Sequence, residues 1–169
     1  MIASTSRATI GALAACVAAL ALNAIPALAA PPAVGTRAPD FTLLTPEGTA
    51  VRLSSLRGKV VVVNFFATWC PPCNEEAPAI DALQRRYGAA GLQIVGVDVL
   101  ESAAKAQEFR TQHHLSYPAV VDDGTLRNQY NVNGLPVHVF IDRSGTVRKI
   151  IVGELAPAEM RENIESILH

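Results

Sequence analysis

The chain has 169 residues, and half of them are apolar while only 17% are charged, an imbalance concentrated in the first thirty positions. Its formal net charge is −1, and taking Arg7 away with an N-terminal leader leaves 13 basic against 15 acidic residues, which excludes the basic surface that nucleic acid requires. About 140 residues then remain, enough for one ordinary domain with a single core.

Residues 1–29 read as a secretory signal peptide. A short n-region ends at Arg7, an apolar stretch runs from Ala8 to Ile25, and the small-residue site Ala27-Leu28-Ala29 follows Pro26, with cleavage expected before Ala30. Two other readings stay open. Ala8 to Ala30 carries no charge and is long enough to serve as an uncleaved membrane anchor, and Leu13-Ala14-Ala15-Cys16 resembles a lipoprotein box that would lipidate Cys16. Each of the three puts the domain 30–169 outside the cytoplasm, which points to a periplasmic location.

Pro31 to Pro39 suits an extended entry. Phe41 to Leu44 and Ala50 to Leu53 are strand-like pieces around Pro46-Glu47-Gly48, so a small hairpin is expected. Val60 to Phe66 is an unbroken β-branched and aromatic run, as a central strand buried on both faces demands. A helix is predicted from about Cys70 to Tyr87, with Pro71 and Pro72 in its first turn and a kink at Pro78. Leu92 to Val99 reads as a strand, Ser102 to His114 as a helix, Tyr117 to Val121 as a strand and Gly124 to Tyr130 as a short helix or turn. Val137 to Ile141 and Val147 to Val152 form a hairpin across Asp142 to Thr146, and Pro157 to Leu168 closes the chain as a helix. This order implies an α/β domain with a central mixed sheet flanked by helices on both faces.

Chemistry concentrates in Trp69-Cys70-Pro71-Pro72-Cys73, which holds the only cysteines outside the leader. In an oxidising compartment so short a loop stabilises little, and a zinc site would want a second ligand pair, so the spacing reads as a redox pair. Cys70, at the helix start, is expected to be the exposed nucleophile and Cys73 the resolving thiol. A mixed disulfide on Cys70 is released when the Cys70–Cys73 disulfide forms, with no cofactor required. Pro71 and Pro72 lack N–H donors that would stabilise a thiolate, which biases the pair toward donating electrons.

Five motifs carry a resemblance to the TlpA/ResA-like thioredoxins of the bacterial envelope, a group that includes the cytochrome c maturation thioredoxins. They are Ala38-Pro39-Asp40-Phe41, Gly58 to Cys73, Glu76-Ala77-Pro78, Gly134-Leu135-Pro136 and Phe140-Ile141-Asp142. The resemblance implies a thioredoxin fold with an N-terminal β-hairpin and a β/α insertion over Ser102 to Val121. It implies a cis bond at Pro136 facing the dithiol, with Leu135 and Trp69 as substrate-contacting residues. Protein disulfides, from apocytochrome c or copper-site assembly clients, are the implied substrates, and a membrane electron donor is the implied source of reducing equivalents.

Asn64 takes the place of the buried aspartate of cytoplasmic thioredoxins, so proton handling for Cys73 must come from elsewhere. Glu76 matches an acid associated with the family's site and is the candidate acceptor, or else a solvated first-turn residue. Glu101 resembles a second acid near the site, and Glu75 reads as surface. His138 and Val137 depart from the family's Thr-Thr after the cis-proline. Because residues two apart on a strand share a face, His138 could approach the dithiol, or it could be a packed core histidine. His113, His114 and His169 read as structural or solvated.

Two other function classes remain at this point. One is a copper(I) metallochaperone using Cys70, Cys73 and His138. The other is a thiol peroxidase, because Ala38-Pro39-Asp40-Phe41 also opens peroxiredoxin-type domains.

Overall fold

The computed structural model describes residues 31–168; the leader, Cys16 and His169 lie outside that range. Strand β1 (Thr42–Leu44) and strand β2 (Ala50–Arg52) form the expected hairpin, and Leu53–Leu56 wind into a 3₁₀ turn instead of extending β2. Then follow β3 (Val60–Phe66), α1 (Pro71–Tyr87), β4 (Leu92–Val99), α2 (Ala103–Gln112), β5 (Ala119–Asp122), α3 (Thr125–Gln129), β6 (Val137–Ile141), β7 (Val147–Val152) and α4 (Pro157–Leu168).

All seven strands form one sheet in the order β2-β1-β5-β4-β3-β6-β7. The pairs β3–β4 and β4–β5 are parallel and the rest antiparallel, which makes the sheet mixed. Strand β3 is central and every residue of it is buried. The expected insertion supplies α2 and β5, and β5 joins the hairpin to the sheet through Leu44 and Val121.

Pairing on β5 starts two residues later than expected, at Ala119. Pro118 has no N–H to give a ladder but its carbonyl accepts Gly96 N–H at 2.9 Å, and Tyr117 turns its ring into the core. Gly96 permits this: a Cβ there would sit 3.0 Å from the Phe66 ring and 3.3 Å from that of Tyr117. Helix α1 runs its full 17 residues, Pro71–Tyr87, with Pro78 inside it.

Alternation along the strands divides the core into two layers. Val60, Val62, Phe66, Leu92, Ile94 and Phe140 face α1, α2 and α4. Val61, Val63, Phe65, Val95, Val97 and Val139 face Phe41, Leu53, Leu126 and Tyr130, so α3 and the N-terminal entry cover the second face. Phe66 stacks on Phe109 of α2 with centroids 4.3 Å apart. Phe66→Ala is expected to cost about 4 kcal/mol in chemical denaturation, because a fully buried ring between sheet and helix leaves a cavity that close packing cannot fill. Among the described residues no helix is long and apolar enough to cross a membrane.

Candidate active site

Strand β3 ends at Phe66, and the turn Ala67–Trp69 delivers Cys70 to the start of α1. Cys70 is the helix N-cap, in extended conformation, and its Sγ accepts the Cys73 N–H at 3.3 Å. Pro71 and Pro72 occupy the first two helical positions, so of the three N–H groups that could reach an N-cap acceptor only that of Cys73 exists. The two sulfurs are joined in a disulfide with Cα atoms 5.3 Å apart. The expectation of an exposed Cys70 is corrected: the residue is only 3% exposed, because its sulfur is turned inward onto Cys73 and that residue's amide. The neighbouring Trp69, by contrast, is 69% exposed.

Side chains from three elements hold the turn. Glu101, after β4, accepts the Thr68 N–H through Oε2 at 2.5 Å and the Thr68 hydroxyl through Oε1 at 2.7 Å. Asn74, in the first turn of α1, donates from Nδ2 to the carbonyls of Thr68 at 3.0 Å and Cys70 at 2.8 Å. Its Oδ1 lies 2.9 Å from Nε2 of His113, which packs on Phe109 at the end of α2. Burial, and then the charge of His114, hold the His113 imidazole below its ordinary range. Glu75 is exposed, as expected.

Sequence reasoning passed over Asn74, Thr68 and Asp98. Asp98 is fully buried on β4 with neither carboxylate oxygen hydrogen-bonded among the described residues. Its carboxyl is pushed up to about 8, first by burial and then by the adjacent charge of Glu101. The signal was an acid inside a run that otherwise reads as a buried strand.

A second polar group lies beneath Cys73. Glu76 is buried, one helical turn beyond Cys73, which removes the reading of a solvated first-turn acid. His138 is fully buried on β6, with Asn64 of β3 as its register partner, and its Nε2 is 3.3 Å from Glu76 Oε2. The copper reading draws on this imidazole together with Cys70 and Cys73; the contact the structure gives it is with Glu76. Among the described residues no three His, Cys, Asp or Glu side chains are grouped as metal ligands. Asn64 is buried as well, with Oδ1 unpartnered among the described residues. Burial, aided by the charges of Asp81 and Glu76, raises the Tyr117 hydroxyl above its ordinary range, with the Asn64 amide opposing.

The Leu135–Pro136 bond is cis. Leu135 has no backbone hydrogen-bond partner among the described residues, whereas the Pro136 carbonyl accepts Gly153 N–H at 2.8 Å. Leu135, Trp69, Val99, Leu100 and Arg127 line a groove of about 190 Å³. Leu100 is exposed and holds a φ of 61°, a left-handed conformation uncommon for residues other than glycine.

The AhpC/TSA family model matches residues 34–150. The chain is 39% identical over 136 residues to thiol-disulfide oxidoreductase ResA of Geobacillus thermodenitrificans, covering 80% of this chain and 78% of that one. It is 36% identical over 135 residues to thioredoxin-like protein YneN of Bacillus subtilis, with 78% of each covered. Among solved structures, a thiol:disulfide interchange protein of the thioredoxin family from Chlorobium tepidum superposes with a TM-score of 0.75 at 32% identity, covering 81% of this chain and 99% of that one. A secreted disulfide oxidoreductase of Mycobacterium tuberculosis superposes with a TM-score of 0.69 at 27% identity, over 75% of this chain and 95% of that one.

Proposed function

This chain belongs to the AhpC/TSA family, as a thioredoxin-fold thiol-disulfide oxidoreductase of the TlpA/ResA type, and from that premise we propose that it works as a reductant of protein disulfides outside the cytoplasm. Cys70 attacks a client disulfide, and Cys73 resolves the mixed disulfide, leaving the client reduced and the Cys70–Cys73 bond formed. Trp69 and the free Leu135 backbone present the client, with an extended segment pairing beside Pro136. Glu76 takes the Cys73 proton, and Glu101 fixes the turn that carries Cys70.

The observation that carries the reductive direction is the single N–H, that of Cys73, directed at Cys70 Sγ. Strong oxidants of this type owe their power to a stabilised thiolate, and the two prolines remove donors that would stabilise one here. A buried acid one turn from Cys73 works in the same direction, because its charge opposes thiolate formation. The secreted relative and residues 1–29 support a periplasmic location, by cleavage of the leader or by its retention as an anchor. There a membrane electron donor re-reduces the dithiol, and apocytochrome c or copper-site assembly proteins are the proposed clients.

Equilibration of the purified domain with glutathione tests the direction. The expected potential lies well below the roughly −120 mV of the strong periplasmic oxidants, together with catalysis of insulin reduction. A value near −120 mV would show the pair to be an oxidant.

A further inference from the structure

His138 stands on β6 two residues beyond Pro136, at a position where it meets no solvent. Its Nε2 lies 3.3 Å from Oε2 of Glu76, whose side chain is equally hidden. Neither ring nitrogen and neither carboxylate oxygen has a hydrogen-bond partner among the described residues. Around the pair, β3 contributes the Asn64 amide and the α2–β5 connection the Tyr117 hydroxyl, while β7 places Ile151 opposite His138. Farther along α1 is Asp81, which is engaged by Ser116 and Arg85.

A carboxylate enclosed in a core without a countercharge takes up a proton and stays neutral. A neutral Glu76 has nowhere to put the proton of Cys73. A protonated His138, with its Nε2 3.3 Å from Glu76 Oε2, would supply the missing countercharge, and Glu76 shares a helix face with Cys73 at three-residue spacing. We infer that His138 is a positioning residue of the dithiol exchange: it keeps Glu76 ionised inside the core, so that Glu76 can accept the Cys73 proton when the mixed disulfide is resolved.

The inference rests on the exchange proposed above and specifies its second step. With Cys70 bonded to a client sulfur, Cys73 gives its proton to Glu76 and its sulfur attacks Cys70 Sγ. The Cys70–Cys73 bond forms as the Cys70–client bond breaks, and the electron pair leaves on the client sulfur, which takes a proton from water. When an external dithiol later reduces the Cys70–Cys73 bond, Cys73 leaves as a thiolate and recovers the proton from Glu76.

The two steps are separated by an aryl disulfide whose thiolate absorbs visible light, because attack by Cys70 releases one coloured thiolate and resolution by Cys73 releases a second. In His138→Gln the second release is expected to slow roughly a hundredfold at neutral pH and to accelerate as pH rises, while the first is unchanged. Glu76→Gln should slow it equally, and the double variant should be no slower than either single one. An unchanged second release in His138→Gln, or effects that multiply in the double variant, would overturn the inference. Loss of the first release in the unmodified protein would overturn the exchange mechanism itself, which keeps the two failures distinct. If His138→Gln does not fold, imidazole nitrogen NMR shifts of the reduced, unmodified protein decide: a cationic His138 ring at neutral pH supports the assignment and a neutral ring removes it.

Discussion

Cys70→Ser is expected to lower the turnover of a protein disulfide by at least about a thousandfold, and Cys73→Ser to lower it as far while retaining one round of attack. The asymmetry follows from how α1 begins. Cys70 is the N-cap residue at the end of the turn that carries the exposed Trp69, whereas Cys73 lies inside the first turn, 1% exposed and packed among Ala77 and Ile80. In the proposed exchange a client disulfide held along the groove of Trp69 and Leu135 is attacked by Cys70, which adjoins Trp69 in the chain. Without Cys73 the mixed disulfide has no internal nucleophile and persists. Cys73→Ser should thus accumulate covalent client complexes on non-reducing gels, and Cys70→Ser should accumulate none. Equal trapping by the two variants would reverse the assignment of nucleophile and resolving thiol. Rapid consumption of peroxide by Cys73→Ser would instead favour the peroxidase reading.

The parts of this molecule legible in its sequence are those governed by local pattern. Val60 to Phe66 has no polar interruption apart from Asn64, and only a strand covered on both faces accommodates such a run, which is where β3 lies. The hairpin turns and the Cys-x-x-Cys at a strand-to-helix junction are likewise short-range signals. What escaped depended on contacts between elements distant in the chain. His138 meets Glu76 because β6 lies beside β3 and under α1, a neighbour relation that strand periodicity alone does not encode. Periodicity placed His138 on the face of the sheet that α1 covers but could not say that its ring would meet Glu76. Asn74 is similar: its amide closes the turn only because the chain folds back over Thr68 and because α2 ends at His113. The inward turn of Cys70 depends on the oxidised pair and on the Cys73 amide, neither of which exposure rules for a helix start include.

The acid that sequence reasoning missed is expected to dominate the pH dependence of stability. Asp98 lies at the end of β4, where its register partners are Phe66 on one side and Val121 on the other, so its carboxyl has no water to charge against. Burial is the larger cause of its displacement to about 8 and the neighbouring Glu101 the second. With a folded value above the unfolded 3.8, the sign is that of a group whose protonated form the fold prefers. Stability is complete below about pH 4, declines as pH rises, and has lost the full contribution above about pH 8. A displacement of this size corresponds to about 5 kcal/mol between those limits. A protonated Asp98 also spares Glu101 a second buried negative charge while its two oxygens hold Thr68, so the same proton supports the turn that carries Cys70. Asp98→Asn has nothing to ionise. Denaturant unfolding of both proteins at pH 4.5 and pH 8.5 should show the unmodified protein losing several kcal/mol more than the variant over that interval. Parallel losses would mean that Asp98 keeps an ordinary carboxylate's behaviour and that the acid pair is not protonated as argued.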